Sequence, residues 1–252
     1  MKRLVVKIGS NVLTGKDGSL DITRISSLVD QTIELRKSGY EVLIITSGAV
    51  ACGRSILLPE HSLDSVEQRQ LYSAVGQVSL INHYSLLFRE HGITIGQVLT
   101  TKKNFETELE YNNQRRCIEV MLENGVVPVI NENDTVCVTE LMFTDNDELS
   151  GLVSKMVKAD MLVILSNVDG LYKEYGRSDE VVPIVHSGDD VATLIGESKS
   201  SAGRGGMASK CHTAMQISAS GIPVFIACGK RENVLVDLLN APDTIPHTEF
   251  LP

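Results

Sequence analysis

The sequence contains no tryptophan, and its aromatic side chains amount to five Phe and six Tyr. That is too few for the stacking platforms that hold single-stranded nucleic acids. Positive charge is also short: 23 Lys and Arg stand against 32 Asp and Glu, a formal net charge of −9. Binding a phosphate backbone needs a basic face, so DNA and RNA are excluded as general partners. A small anion in a locally positive pocket is not excluded. Long apolar runs are missing. The longest, such as Met161–Leu165, hold about five residues, far below the ~20 that span a bilayer. The opening Met1-Lys-Arg-Leu-Val-Val-Lys7 meets its next charge too early for a secretory signal.

Cysteine is sparse and unpaired in pattern. The five occur at 52, 117, 137, 211 and 228, with no C-x-x-C spacing. They read as small buried hydrophobes in a reducing cytoplasm, not as a disulfide framework. Cys211-His212 has no partner cluster to complete a metal site, so no protein-bound metal is expected. The six His, at 61, 83, 91, 186, 212 and 247, are scattered and read as structural. What is present is ordinary globular composition, 42% apolar and 22% charged, which excludes disorder and fibrous repeats. At 252 residues, the chain can form one large domain or two small ones, with a deep pocket.

Short β-branched runs alternate with longer segments of helical period. Leu4–Ile8, Val42–Thr46, Thr94–Leu99, Val126–Ile130, Leu162–Leu165 and Pro223–Ala227 read as buried strands. Ile22–Ser38, Glu67–Glu90, Asn112–Glu123, Glu148–Lys158 and Met207–Ser220 read as helices. Asp21 or Thr23 can cap the first helix and Gly39 can close it. This alternation implies a mainly parallel sheet with helices on both faces, a three-layer αβα sandwich. Ligands in such sheets sit beyond the carboxyl ends of the strands, so the residues following each strand matter most.

After the first strand, Lys7-Ile-Gly9-Ser10 offers a cation beside a tight turn with free amides; a snorkelling lysine is the plainer reading. After the second, Thr46-Ser47-Gly48 enters a helix and can donate to an anion. Gly48 to Ser55 imitates a phosphate-binding P-loop, but Arg54 stands where that motif needs lysine. Both glycines would also fall in one helix start. After the fourth strand, Asn131-Glu132-Asn133-Asp134 is costly to bury unless it faces a pocket; a solvated turn is the alternative. Thr144-Asp-Asn-Asp-Glu148 precedes a helix beginning near Leu149 and can simply cap it. After the fifth comes Ser166-Asn167. Gly203-Arg204-Gly205-Gly206-Met207 then opens a helix, with Lys210 one turn in, a phosphate-cradle pattern.

These segments, in this order, resemble the amino acid kinase family over essentially the whole chain. The carrying strings are Val5–Ser10, Ile45–Ala49, Val127–Asp134, Asp145–Asp147, Asp169–Tyr172 and Gly205-Gly-Met207 with Lys210. Pro128-Val-Ile-Asn-Glu-Asn-Asp134 is the most specific and points to the branch that phosphorylates free L-glutamate. The resemblance implies ATP-dependent phosphorylation of the glutamate side-chain carboxylate, the first step of proline biosynthesis. By position it implies that Lys7 and Lys210 contact the transferring phosphoryl group and that Asp147 holds both lysines. Ser47, Gly48, Asp134 and Asn146 would bind glutamate, Asp134 pairing with its α-ammonium. Gly9, Ser10, Ser166, Asn167, Arg204, Gly205, Gly206 and Met207, with the two lysines, would bind the nucleotide. Mg²⁺ would ride on the ATP phosphates.

Two positions depart from the family pattern: Ser166-Asn167 replaces the common Thr-Asp, and Arg204 replaces a Thr before Gly-Gly-Met. Arg204 can add a phosphate contact, or Ser198–Arg204 can form a lid. The resemblance further implies a homodimer or tetramer, feedback inhibition by proline, and a single domain. That domain would have an amino-acid half over about 1–158 and a nucleotide half over about 159–252, without the small C-terminal PUA domain many relatives carry. Rival readings are a kinase of the same family acting on acetylglutamate, carbamate, aspartate or a nucleoside monophosphate, a non-catalytic nucleotide sensor, and a scaffold. The Asn131–Asp134 string disfavours the first, and the lysine pair disfavours the second.

Overall fold

A computed structural model describes residues 1–15, 17–137, 145–173, 180–186, 188–191, 194 and 206–252. Eight strands form one sheet: β1 (Lys2–Ile8), β2 (Tyr40–Ile45), β3 (Ile95–Thr100), β4 (Val127–Glu132), β5 (Met161–Ser166), β6 (Ile184–His186), β7 (Val224–Cys228) and β8 (His247–Leu251). Their spatial order is β3-β4-β2-β1-β5-β7-β8-β6. The six strands from β3 to β7 are mutually parallel. β8 pairs antiparallel with β7, and β6 runs parallel to β8.

Helices α1 (Ser10–Leu13), α2 (Ile22–Lys37), α3 (Ala49–Ile56), α4 (Ser65–Glu90), α5 (Glu108–Glu123), α6 (Asn146–Met156), α7 (Met207–Ser218) and α8 (Val234–Asn240) cover both faces. Strand alternation sorts them. Leu4, Val6 and Ile8 of β1 pack with Leu28 of α2, Tyr84 of α4 and Leu235 of α8 in one core. Val5 packs with Ile118 of α5, Val153 of α6 and Ala214 of α7 in the other. The expected three-layer αβα sandwich is therefore observed. Lys7 shares the face of Val5 and so points toward α6 and α7.

Asp21 caps α2, its carboxylate accepting from the Arg24 N–H at 2.9 Å, and Gly39 follows the helix with φ 92°. Gly48 precedes α3 at its cap position, where a φ of 98° suits glycine. α3 and α4 then cross at glycine. A Cβ on Gly53 would sit 1.9 Å from the Tyr72 carbonyl oxygen, and one on Gly76 would sit 1.8 Å from that of Ala49. Tyr84 of α4 is fully buried and meets the Thr46 hydroxyl at 3.1 Å, bracing the end of β2.

Three expectations need correction. Asn131 and Glu132 belong to β4 and are buried within it; backbone pairing to β3 extends the strand through polar residues. α6 begins at Asn146, not near Leu149, because Asp145 caps it. Not every cysteine is buried: Cys117 is exposed and Cys228 is half-buried, whereas Cys52, Cys137 and Cys211 lie inside.

Candidate active site

The carboxyl ends of β1, β2, β4 and β5 open into a cleft of about 1270 Å³. This is where the strand order reverses direction about β1, the usual ligand position in such sheets. Lys7, Gly9, Ser10, Ser47, Gly48, Asp134, Asn146, Ser166, Asn167, Gly206, Met207 and Lys210 all line it. Residues from across the whole sequence thus converge on one space. Arg204 and Gly205 lie outside the described residues.

Between Lys7 and Lys210 lies Asp147, fully buried in the first turn of α6. Its Oδ1 is 2.6 Å from Lys7 Nζ, and its Oδ2 is 3.1 Å from Lys210 Nζ. Burial alone would raise its carboxyl pKa, but Lys7 and Lys210 outweigh it and hold the group below the ordinary carboxylate range. The carboxylate therefore stays ionised and spaces two ammonium groups across the cleft floor. Gly9 lies against β5: a Cβ there would sit 3.3 Å from the Leu165 carbonyl oxygen.

Asp145 secures the helix that carries Asp147. Its Oδ1 accepts from the N–H groups of Asp147 (2.9 Å) and Glu148 (3.1 Å), and its Oδ2 accepts from the Ser209 hydroxyl on α7. Burial and the nearby Asp147 charge raise its pKa, opposed by these hydrogen bonds. The starts of α6 and α7, and hence Asp147 and Lys210, are tied to each other.

One side of the lysine pair is amide-rich. Asn146 Nδ2 lies 2.9 Å from the Thr46 carbonyl, 2.9 Å from Ser47 Oγ and 3.0 Å from Asn131 Oδ1. Asn131 is fixed in turn, donating to Gln77 Oε1 at 3.0 Å and accepting from the Glu132 N–H at 2.9 Å. Because the Thr46 carbonyl can only accept, the Asn146 amide orientation is determined. Its buried Oδ1 has no hydrogen-bond partner among the described residues, an acceptor available to a ligand.

Asp134 also reaches this side, but it has a partner that sequence reasoning missed. Arg69 of α4 donates through Nε to Asp134 Oδ1 at 2.7 Å and through a terminal nitrogen to Glu132 Oε2 at 2.7 Å. Burial pushes the Asp134 carboxyl up, and the Arg69 charge opposes this. Two carboxylates at a buried strand end are themselves a signal that a cation lies nearby.

The opposite side is lined by Ser166 and Asn167 after β5, Gly206 and Met207 opening α7, and Lys230 after β7. The expected nest of free amides at Gly9 needs revision. Its N–H donates to the Leu165 carbonyl at 3.2 Å, because β1 and β5 remain paired that far.

Residues 2–228 match the amino acid kinase family. The chain belongs to that family. A protein named glutamate 5-kinase from Bacteroides thetaiotaomicron is 57% identical over 252 residues, covering 99% of this chain and 70% of that protein. Another so named, from Chlorobaculum tepidum, is 46% identical over 235 residues, covering 93% of this chain and 65% of that protein. The chain thus spans about two thirds of these relatives' length. Carbamate kinase from Giardia lamblia bound to AMP-PNP superposes with a TM-score of 0.67 at 18% identity, covering 99% of this chain and 98% of that one, a likeness of fold. Within this amino acid kinase, no helix of the described residues is long and apolar enough to cross a membrane.

Proposed function

We propose that the chain transfers the γ-phosphoryl group of ATP to the side-chain carboxylate of L-glutamate, giving glutamate 5-phosphate, the first intermediate of proline synthesis. The observation that carries this reading is the Asp147 bridge between Lys7 and Lys210 on the cleft floor. Simple nucleotide binding needs no such organised pair. The relatives named glutamate 5-kinase, at 57% and 46% identity, support glutamate as the acceptor over other family substrates.

The acceptor carboxylate has an intrinsic pKa near 4.3 and is ionised at neutral pH, so no general base is required. A carboxylate oxygen attacks the γ-phosphorus, the bond to the β–γ bridging oxygen breaks, and ADP leaves with the electron pair. The difficulty is anion meeting anion in line, which positioning and positive charge must overcome. Lys7 and Lys210 supply fixed positive charge where the equatorial and leaving oxygens gain negative charge. Asp147 sets their spacing. Glutamate lies over residues 1–158, with Ser47 and Gly48 donating to it and Asp134 and the free Asn146 Oδ1 accepting from its ammonium. The nucleotide lies over residues 159–252, along Ser166-Asn167 and Gly206–Lys210.

Mg²⁺ supplies further neutralisation of phosphate charge when it accompanies ATP. The donor set fits a metal held through phosphate oxygens. Both Asp147 oxygens face lysines, and both Asp145 oxygens accept protein hydrogen bonds. Neither carboxylate is spare. The test is ADP release from a panel of acceptors (glutamate, aspartate, acetylglutamate, carbamate and uridine monophosphate), each with and without Mg²⁺ and with added proline. Glutamate-dependent, Mg²⁺-dependent ADP release supports the reading; nucleotide binding without turnover of any acceptor refutes it.

A further inference from the structure

We infer that Arg69 is a positioning residue for substrate selectivity: it holds Asp134 so that the pocket accepts an amino acid in preference to the same diacid without its ammonium. The inference rests on the glutamate reading above and deepens it.

Arg69 lies in the second turn of α4 with its side chain only 17% exposed, between Glu132 and Asp134, whose side chains are 7% and 12% exposed. Both of its bonds to Asp134 go to Oδ1. That anchors one carboxylate oxygen and leaves Oδ2 for the cleft that Asp134 lines. The planar guanidinium makes this geometry available, since it can serve two carboxylates with separate nitrogens in a fixed fork.

Charge gives the second argument. Among the described residues Arg69 meets two carboxylates, Glu132 and Asp134, so its guanidinium does not cancel the negative charge that Asp134 offers an ammonium. The Cys137 thiol beside them is pushed up to about 12, chiefly by burial and then by Glu132 and Asp134, so it stays neutral. Without Arg69, Asp134 would lose the positive charge that opposes the effect of its burial, and its protonated form would be favoured. The pocket would then lose its preference for a cation.

The segment from Asn133 to Cys137 also has anchors other than Arg69. The Asn133 N–H donates to the Thr100 carbonyl at 2.8 Å, the Cys137 N–H to the Asn133 carbonyl at 3.1 Å, and Gln70 Nε2 to the Thr135 carbonyl at 2.9 Å. Removing the guanidinium therefore changes the rotamer and charge of Asp134 more than the path of the chain. That separates this role from a merely structural one.

The experiment compares wild type, Arg69→Gln and Arg69→Lys. It measures kcat, KM for glutamate, KM for ATP, and the inhibition constant of glutarate, which is glutamate without its amino group. Losing charge-assisted bonds of this kind corresponds to roughly a 10- to 100-fold rise in the glutamate KM for Arg69→Gln. The ATP KM should stay within about twofold, and glutarate should bind as well as before or better. Arg69→Lys keeps the charge without the fork and should fall between. It also serves if the Gln variant folds poorly. A glutamate KM within twofold of wild type, or equal weakening of glutamate and glutarate, overturns the inference. Wild-type enzyme that releases no ADP with glutamate overturns the functional reading instead.

Discussion

Replacing Asp147 by Asn changes the least shape and the most electrostatics. The amide keeps one oxygen to face one lysine but turns an NH₂ toward the other. Lys7 and Lys210 both border the cleft, with 6% and 12% side-chain exposure, and Lys210 has the more room to relax into it. Removing one partner of a buried ion pair costs about 3–5 kcal/mol, and the relief open to Lys210 places this case near the lower value. In the proposed mechanism the two lysines face the transferring group, so misplacing them carries a catalytic loss; losing one such preorganised donor costs about 10²–10³ in kcat. The pH dependence has a definite sign. The lysines hold the folded-state pKa of Asp147 below its ordinary value, so its stabilisation is complete above the unfolded carboxylate value, about 3.9. It is lost as pH falls through the folded value. Urea unfolding should therefore show wild type more stable than Asp147→Asn at pH 7, with the gap closing below about pH 4. ADP release should fall by two to three decades. A variant with kcat within threefold of wild type, or a stability gap unchanged at low pH, would refute the reasoning.

Other expectations follow from the same geometry. Lys210→Ala should lower kcat by about 10²–10³ while leaving the glutamate KM near wild type, measured by coupled ADP release. Asp134→Ala should raise the glutamate KM by about 10- to 100-fold with the ATP KM nearly unchanged; an unchanged glutamate KM removes it from ammonium binding. Asp145→Ala removes the cap of α6 and should cost about 1–2 kcal/mol in chemical denaturation, accompanied by a fall in kcat because Asp147 sits in the freed turn. Gly76→Ala drives a methyl group into the Ala49 carbonyl, 1.8 Å away. It should destabilise by about 3 kcal/mol, read by thermal unfolding.

The strands that touch the site were legible because they are buried on both faces and read as continuous apolar runs: Val5, Leu43, Val129 and Ile164 all lie in such runs. β8 was not read. His247–Leu251 alternates half-buried and buried residues and pairs antiparallel at the far side of the sheet, so its short pattern resembles a tail. α1 is a single turn, too short for a period to show. Asp147 and its lysines were identified from a family resemblance, and their contacts follow from a topology that brings the end of β1 beside the starts of α6 and α7. Arg69 was missed for a physical reason. Its partners lie 63 and 65 residues away, and α4 places a cation there without any local motif. Asp145 was read as a possible cap and proves to be one, but its link to Ser209 joins two helices whose proximity no local pattern announces.

Asn146 and Asp147 are consecutive, yet one faces the amide-rich pocket and the other the two lysines. Successive residues on a helix differ by only about 1.5 Å of rise, and Asp145 clamps that turn at both oxygens. If Asn146 holds the head of the acceptor and the lysine pair faces the phosphoryl group, as proposed, the first turn of α6 is a length gauge between the two. An acceptor one methylene shorter, such as aspartate, can satisfy the head position and still stop roughly 1 Å short of the γ-phosphorus, a deficit worth about a hundredfold in rate.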